Sequence, residues 1–281
     1  MTLQENISSF LWSMGITDRW LKTFGRSYRF VLAMHGIANR RYPNLDNETQ
    51  PCLMNEDLRN ILFWLSSRFH FLTPDEFLNS VNPGVLLTFD DGYQNNYINA
   101  LPLLEEFKAP AVFFVTVQHV LNPKEWLPSI VKSTQNYWDS ADKVPANIAQ
   151  DIFDGMSVEQ LKKCAKNPLI TIGSHSFSHP FLSSCNQEEL VLEIVNSKNI
   201  LQDILNIDVR LFAYPTGDYD KRVIEMVRKA GYMAAFAADS KQVDQLRYEI
   251  PRIGIYFSSD HYLGMKLSGF HRRPIFKKPI I

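Results

Sequence analysis

The sequence predicts an α/β fold built on a parallel sheet, and three observations carry that prediction. Apolar runs rich in β-branched and aromatic residues recur at 30–34, 85–89, 111–117, 169–172, 209–214, 233–237 and 250–257. Segments with apolar residues at helical spacing lie between most of them. The run Val85-Leu86-Leu87 is apolar without alternation, as a strand covered on both faces must be. Strands alternating with helices make right-handed βαβ units, and seven such strands point to a barrel, closed or incomplete.

Taken in order, residues 1–27 form an amphipathic helical extension with Phe10, Leu11, Met14, Trp20, Leu21 and Phe24 on it. Residues 28–269 form the barrel. Within it, helical spacing covers 57–69, then 95–107 through Ile98, Leu101, Leu104 and Phe107. The longest helical pattern, 188–205, carries Leu192, Val195, Ile200 and Ile204. Asp220 opens the next, KRVIEMVRKAGY, and Gly231 ends it as a residue just past a helix should. Residues 119–156 do not fit the alternation and read as a long insertion after the third strand. Loops at the C-terminal ends of barrel strands build active sites, which makes this insertion a lid or a substrate-facing wall. Residues 270–281, ending HRRPIFKKPII, differ in composition and read as a basic tail.

Composition excludes several classes. A net charge of −1 gives no footing for nucleic acid. The three cysteines, Cys52, Cys164 and Cys185, contain no CxxC pair and read as reduced thiols. Glu5 stands where a signal peptide carries positive charge, and the run 109–117 is far too short to span a bilayer. The expectation is a cytoplasmic protein.

Three segments carry chemistry. In LLTFDDGY (86–93) a strand runs into two adjacent carboxylates, Asp90 and Asp91, which repel unless a cation or shared proton relieves them. The plainer reading is an Asp-rich turn capping the helix near Asn95. In ITIGSHSFSHP (170–180) another strand ends at His175 and His179, spaced so that both imidazoles can reach one ion. In a parallel barrel both strand ends share a rim, and two imidazoles with one carboxylate leave coordination positions open, as catalytic metal sites do. In LFAYPTG (211–217) a rigid turn can aim a backbone N–H at a reacting oxygen.

TFDDG, then HSxxH, then a YPxG turn, each ending a strand and in this order, resembles the polysaccharide deacetylase family, carbohydrate esterase family 4, over roughly 29–257. The resemblance implies a distorted (β/α)7 barrel that removes acetyl groups from N-acetylated sugars with one divalent metal, zinc or a similar transition metal. It implies Asp90 as general base, Asp91, His175 and His179 as metal ligands, and the turn of Tyr214 and Thr216 as the oxyanion and substrate contact, through the Thr216 N–H. Many members carry an arginine where this chain has Ala213; Arg252, in Pro251-Arg252, either replaces that guanidinium or forms an ordinary ion pair. The general acid is His35 or, in a poorer match, His261. His70, His119 and His271 read as surface or packing residues. Trp126, Tyr137 and Trp138 either stack on sugar rings or form the core of the insertion.

The function implied is N-deacetylation of an amino sugar in a glycan or glycan precursor. Hydrolysis of a cyclic amide or formamide on the same fold, and a degenerate carbohydrate-binding protein, are the alternatives. A cytoplasmic enzyme needs a precursor substrate, nucleotide-activated or lipid-linked. The basic tail and the amphipathic extension fit peripheral membrane contact; the alternative is an extension packed on the barrel and a solvated tail.

Overall fold

The computed structural model describes residues 10–23, 28–42, 44–45, 52–238 and 247–268. The tail expected at 270–281, and residues 1–9 and 24–27 of the extension, lie outside the described residues. The described residues form ten strands: β1 (Arg29–Met34), β2 (Ile37–Ala38), β3 (Leu53–Met54), β4 (Gly84–Phe89), β5 (Ala111–Val115), β6 (Ile170–Ser174), β7 (Leu211–Ala213), β8 (Ala234–Ala237), β9 (Ile250–Pro251) and β10 (Ile253–Gly254). Eight form one sheet in the order β10-β1-β4-β5-β6-β7-β8-β9, with every pairing parallel. Its two end strands, β9 and β10, are one stretch of chain interrupted at Arg252. The first half pairs with β8 and the second with β1, so the sheet closes on itself. Counted as chain segments, the barrel has the seven strands that the apolar runs predict. It is distorted where β6 and β7 meet in a single register pair, Ser174 with Phe212.

Alternation along the strands sorts the side chains. Val31, Leu86, Val112, Phe114, Ala213 and Phe236 fill the barrel interior, and Leu72, Phe77 and Leu78 join that cluster from the segment and the helix Pro74–Asn79 that precede β4. Phe30, Leu32, Leu87, Phe89, Phe113 and Ile172 belong to the larger cluster that packs under the helices. On β4 the interior series Leu86, Thr88, Asp90 turns from apolar to charged as it reaches the C-terminal rim. Both clusters are close-packed, and the strands read as apolar runs because each face has one.

The helix Lys221–Lys229 shows how local sequence sets an element. Asp220 accepts from the Val223 N–H at 3.0 Å, and Gly231 (φ 77°) ends the helix while Gly231 and Tyr232 N–H groups bond back to Arg228 and Val227 carbonyls. Three other helical segments among the described residues contain wide turns, Ala149–Phe153 among them, where Asp154 N–H reaches Ala149 O. Leu101 N–H reaches Asn96 O, five residues back, and Val191–Asn196 is wide in the same way.

The helix Ile16–Thr23 of the extension packs against the helix Asp260–Leu267, with Leu21 buried and Trp12 6.4 Å from Trp64. Residues 119–156 fold into short helices around a third apolar cluster that includes Trp126, Ile130 and Phe153. Trp126 is core there: it is buried and its indole N–H donates to Asp154. Among the described residues no helix is long and apolar enough to cross a membrane.

Candidate active site

The C-terminal rim encloses a cleft of about 470 Å³ lined by His35, Asp90, Asp91, His175, His179, Thr216 and Arg252, with Ser129 and Ile130 of the insertion on its wall. Every site residue expected from the sequence lines it except His261, which lines a neighbouring hollow.

Asp90 is buried, and Arg252 donates to both its oxygens, at 2.6 and 2.8 Å. The same guanidinium donates to Thr88 Oγ1 at 3.1 Å and lies 5.5 Å from the centre of the Phe114 ring. Thr88 Oγ1 in turn donates to Leu32 O at 2.8 Å. Burial alone would raise the Asp90 pKa; the opposing charge and hydrogen bonds of Arg252 outweigh it and hold the carboxyl well below the usual range. Ala213 faces the same interior, so the guanidinium arrives from Arg252 across the barrel rather than from the strand of the YPxG turn.

Asp91 sits one residue on, in a different setting. Its φ is 74°, an unfavourable angle for a residue with a Cβ. Ser176 (φ 68°), His179 (φ 64°) and Thr216 (φ 55°) share that strain, so of the six such non-glycine residues among those described, four gather at this rim. Backbone strain of about 1–3 kcal/mol per residue persists only where the surroundings enforce it. Asp91 Oδ1 lies 3.6 Å from His175 Nε2 and 3.4 Å from His179 Nε2, and it is buried without a hydrogen-bond partner.

The histidine loop is held from several sides. His175 Nδ1 lies 2.9 Å from Ala213 O, which makes Nδ1 the donor and leaves the Nε2 lone pair facing Asp91. Burial lowers the His175 pKa to about 4, so the ring is neutral at physiological pH. Glu193 accepts from the Phe177 and Ser178 N–H groups, at 3.0 and 2.9 Å, and from Ser178 Oγ at 2.6 Å. Ser176 Oγ accepts from His179 N–H at 3.0 Å. A neutral imidazole lone pair and a carboxylate oxygen facing one another repel unless a cation lies between them. Among the described residues, Asp91, His175 and His179 bring ligand atoms within 4.8 Å of one another. The orphaned buried oxygen, the fixed tautomer and the donor set all fit a divalent metal.

Around this centre lie groups the sequence reading leaves out. His119 is fully buried, with Nδ1 3.2 Å from Asp91 O and Nε2 3.0 Å from Phe153 O, so it ties the Asp91 backbone to the insertion rather than packing idly. Tyr93 is buried, and burial with the nearby Asp91 charge pushes its phenol well above its ordinary pKa. Glu193 carried a signal that was available, a lone carboxylate in the apolar run Leu190-Val191-Leu192-Glu193-Ile194-Val195. His119 and Tyr93 carried none beyond residue type.

Three remaining candidates are placed as follows. His35 lines the cleft, stacked 6.2 Å from Tyr256, with its Nδ1 buried and unpartnered. Thr216 is the exposed apex of the 215–217 turn, where Gly217 N–H bonds to Tyr214 O and Asp218 N–H to Pro215 O. Tyr214 lines the cleft but is fully buried, and its phenol is committed to Tyr248 O at 2.8 Å.

A parallel barrel with a carboxylate–imidazole trio beside a buried carboxylate–guanidinium pair on its catalytic rim defines a hydrolase of the metal-using kind. The profile of the family described as "Polysaccharide deacetylase" matches residues 79–235, and the chain belongs to that family, carbohydrate esterase family 4. The poly-beta-1,6-N-acetyl-D-glucosamine N-deacetylase of Staphylococcus aureus (strain MRSA252) is 26% identical over 227 residues, covering 75% of this chain and 70% of that protein. Two solved structures share the fold. The Streptococcus pyogenes deacetylase PplD in complex with acetate has a TM-score of 0.63 at 19% identity, covering 82% of this chain and 92% of its own. IcaB from Ammonifex degensii has a TM-score of 0.62 at 20% identity, covering 87% and 97%.

Proposed function

We propose that this protein hydrolyses the N-acetyl group of an amino sugar in a glycan or glycan precursor, releasing acetate and the free amine. The observation that carries the reading is the meeting, in one cleft, of the Asp91–His175–His179 trio with the Asp90–Arg252 pair. The relative named for poly-N-acetylglucosamine deacetylation supports the substrate class. The two-imidazole, one-carboxylate donor set favours zinc or a similar transition metal. When bound, such an ion polarises a carbonyl and makes water a stronger nucleophile.

The chain's own residues do the rest. Asp90, held ionised by Arg252, takes the proton from the attacking water. Its depressed pKa guarantees that it is available as a base and limits its strength, so the Arg252 contact orients as much as it tunes. The Thr216 N–H donates to the carbonyl oxygen as negative charge develops there. His35 gives a proton to the departing nitrogen as the C–N bond breaks. Arg252 supplies the guanidinium missing at position 213, which favours an enzyme over a degenerate binding protein. Acetate release from N-acetylated sugars, measured after metal loading and after chelation, tests the reading. Release that survives chelation, or activity confined to small cyclic amides, would overturn it.

The finer placement is also a proposal: a cytoplasmic enzyme meeting a nucleotide-activated or lipid-linked precursor of a cell-envelope glycan at the inner face of the membrane. The three cysteines are free and buried, as a reducing compartment allows. Phe10 and Met14, 63% and 62% exposed on the packed N-terminal segment, offer apolar contact. Co-sedimentation with anionic vesicles at low salt tests it; equal recovery in the supernatant with and without vesicles argues for a soluble substrate.

A further inference from the structure

Glu249 stands just before β9 and is fully buried, and nothing in the proposed reaction uses it. Its Oε1 accepts from the Tyr219 phenol at 3.0 Å, while its Oε2 is buried without a hydrogen-bond partner. An acceptor left unsatisfied in a core costs stability that an apolar side chain of the same shape would not. A group carried at such a cost calls for a reason. We propose that Glu249 is a positioning residue: through the Tyr219 phenol it holds the turn 214–219 so that the Thr216 N–H meets the carbonyl oxygen of the scissile amide. The inference rests on the N-deacetylase reading, which makes Thr216 the oxyanion donor, and adds what sets the direction of that donor.

The turn needs holding. Thr216, its apex, is exposed and has φ 55°, a strain that persists only where the surroundings enforce it. Two tyrosines flank the apex and bond consecutive residues of one distant stretch. The Tyr214 phenol donates to Tyr248 O at 2.8 Å and the Tyr219 phenol to Glu249, with the two rings stacked 4.5 Å apart. A Cβ on Gly217 would fall 2.6 Å from that of Ala238, so the turn also rests against the residue that follows β8. Asp218 accepts from the Ser183 N–H and Oγ, at 2.8 and 2.9 Å, which joins the turn to the loop beyond His179.

The place of Glu249 in the chain gives the contact its consequence. Arg252, whose guanidinium grips Asp90, follows directly after β9. The Arg252 and Tyr214 N–H groups both bond to β8, at Ala237 O (3.1 Å) and Phe236 O (3.0 Å). One short stretch, 248–252, therefore fixes the base and, through Tyr219, the oxyanion donor, so the two keep their spacing. An N–H donor works only when aimed at the place where negative charge develops, and a misplacement of about 1 Å is enough to cost rate. The Asp218–Ser183 contacts remain when the phenol is removed, so the turn loosens rather than unfolds, and the loss stays near tenfold, below that for deleting a donor outright.

Tyr219→Phe removes one hydroxyl and keeps the ring. In metal-loaded protein it should lower kcat for acetate release about tenfold, with KM, zinc affinity and the acid limb of the pH–rate profile unmoved. Glu249→Leu should do the same, and Glu249→Gln, which keeps an acceptor oxygen for the phenol, should retain most of the rate. Hydrogen exchange of the metal-free protein, read by NMR, reports on the turn without any reaction. The Gly217 and Asp218 amides, bonded to Tyr214 O and Pro215 O, should lose protection about tenfold in Tyr219→Phe, while amides of β4 and β5 keep theirs. Wild-type kcat in Tyr219→Phe, equal losses in KM or zinc affinity, or a Glu249→Gln protein as slow as Glu249→Leu overturns the positioning role. Unchanged protection at 217–218 overturns it too, and so does protection lost throughout the barrel, the mark of a purely structural contact. Where the wild type releases no acetate the deacetylase reading fails, and protection lost at 217–218 alone still upholds Glu249 as the anchor of the turn.

Discussion

The Asp90 carboxylate receives both terminal nitrogens of Arg252, whereas that of its neighbour Asp91 faces two imidazole nitrogens. Substitution should separate them. Asp90→Asn should retain metal and lose turnover by roughly 10²–10⁴, the usual cost of removing a general base, while Asp91→Asn should weaken metal retention itself. Metal content by elemental analysis beside acetate release distinguishes the two, and equal metal loss in both variants would refute the division. Arg252 grips Asp90 through both carboxylate oxygens. With the guanidinium gone, burial is the dominant influence left, and the Asp90 pKa should rise. Arg252→Met should therefore shift the acid limb of the pH–rate profile upward, where loss of a merely structural ion pair would lower kcat without moving it. Glu193 touches neither ligand directly but holds the loop between them. Glu193→Gln should weaken metal affinity by about 10- to 100-fold, as changes behind metal ligands do, with secondary structure unchanged by circular dichroism.

At the scale of elements, the strands were legible because each barrel strand is apolar on both faces, and that pattern is in the sequence. The same logic located the rim, since Asp90, His175 and Pro215 each follow an apolar run. What was not legible is non-local. The strand expected at 250–257 ends at Gly254, because Arg252 divides it between two partners and the chain beyond becomes a rim loop. The pair β2–β3 has two residues per strand, too short for any periodicity. The wide turns in three helical segments insert a residue without changing composition. His119 gains meaning only when distant carbonyl groups arrive beside its ring. One element invites a direct measurement. Gly173 on β6 lies against the barrel interior, where a Cβ would fall 2.4 Å from the Phe114 ring. Gly173→Ala should destabilise by about 1–3 kcal/mol, the range for overpacking a dense core, read as a lowered urea midpoint.

For the whole molecule, acid should be the weak side. Burial depresses His175, to about 4, and His119 also lies below its ordinary value. In the unfolded chain both titrate near 6.5. Between those values the unfolded state binds more protons than the folded one, so stability falls as pH drops through 6.5 toward 4. Metal-free protein should show a urea midpoint that declines steadily from pH 7 to pH 5. Metal requires the same imidazoles neutral, so loading should raise the midpoint at pH 7 and progressively less at pH 5. A midpoint flat across that range would contradict the burial of these rings.

The closure of the barrel at Arg252 also bears on how the chain reaches its working state. The stretch 250–254 must find β1, more than two hundred positions earlier, before the cylinder shuts. Contacts so distant in sequence carry a large ordering cost and form slowly. Until they form, Asp90 has no counter-ion and the two adjacent carboxylates repel each other at an open edge. A partly folded chain can hold most of its helices and still be chemically inert. Refolding followed by circular dichroism should therefore run ahead of refolding followed by acetate release, and a nascent chain stays inactive until its last strand is made.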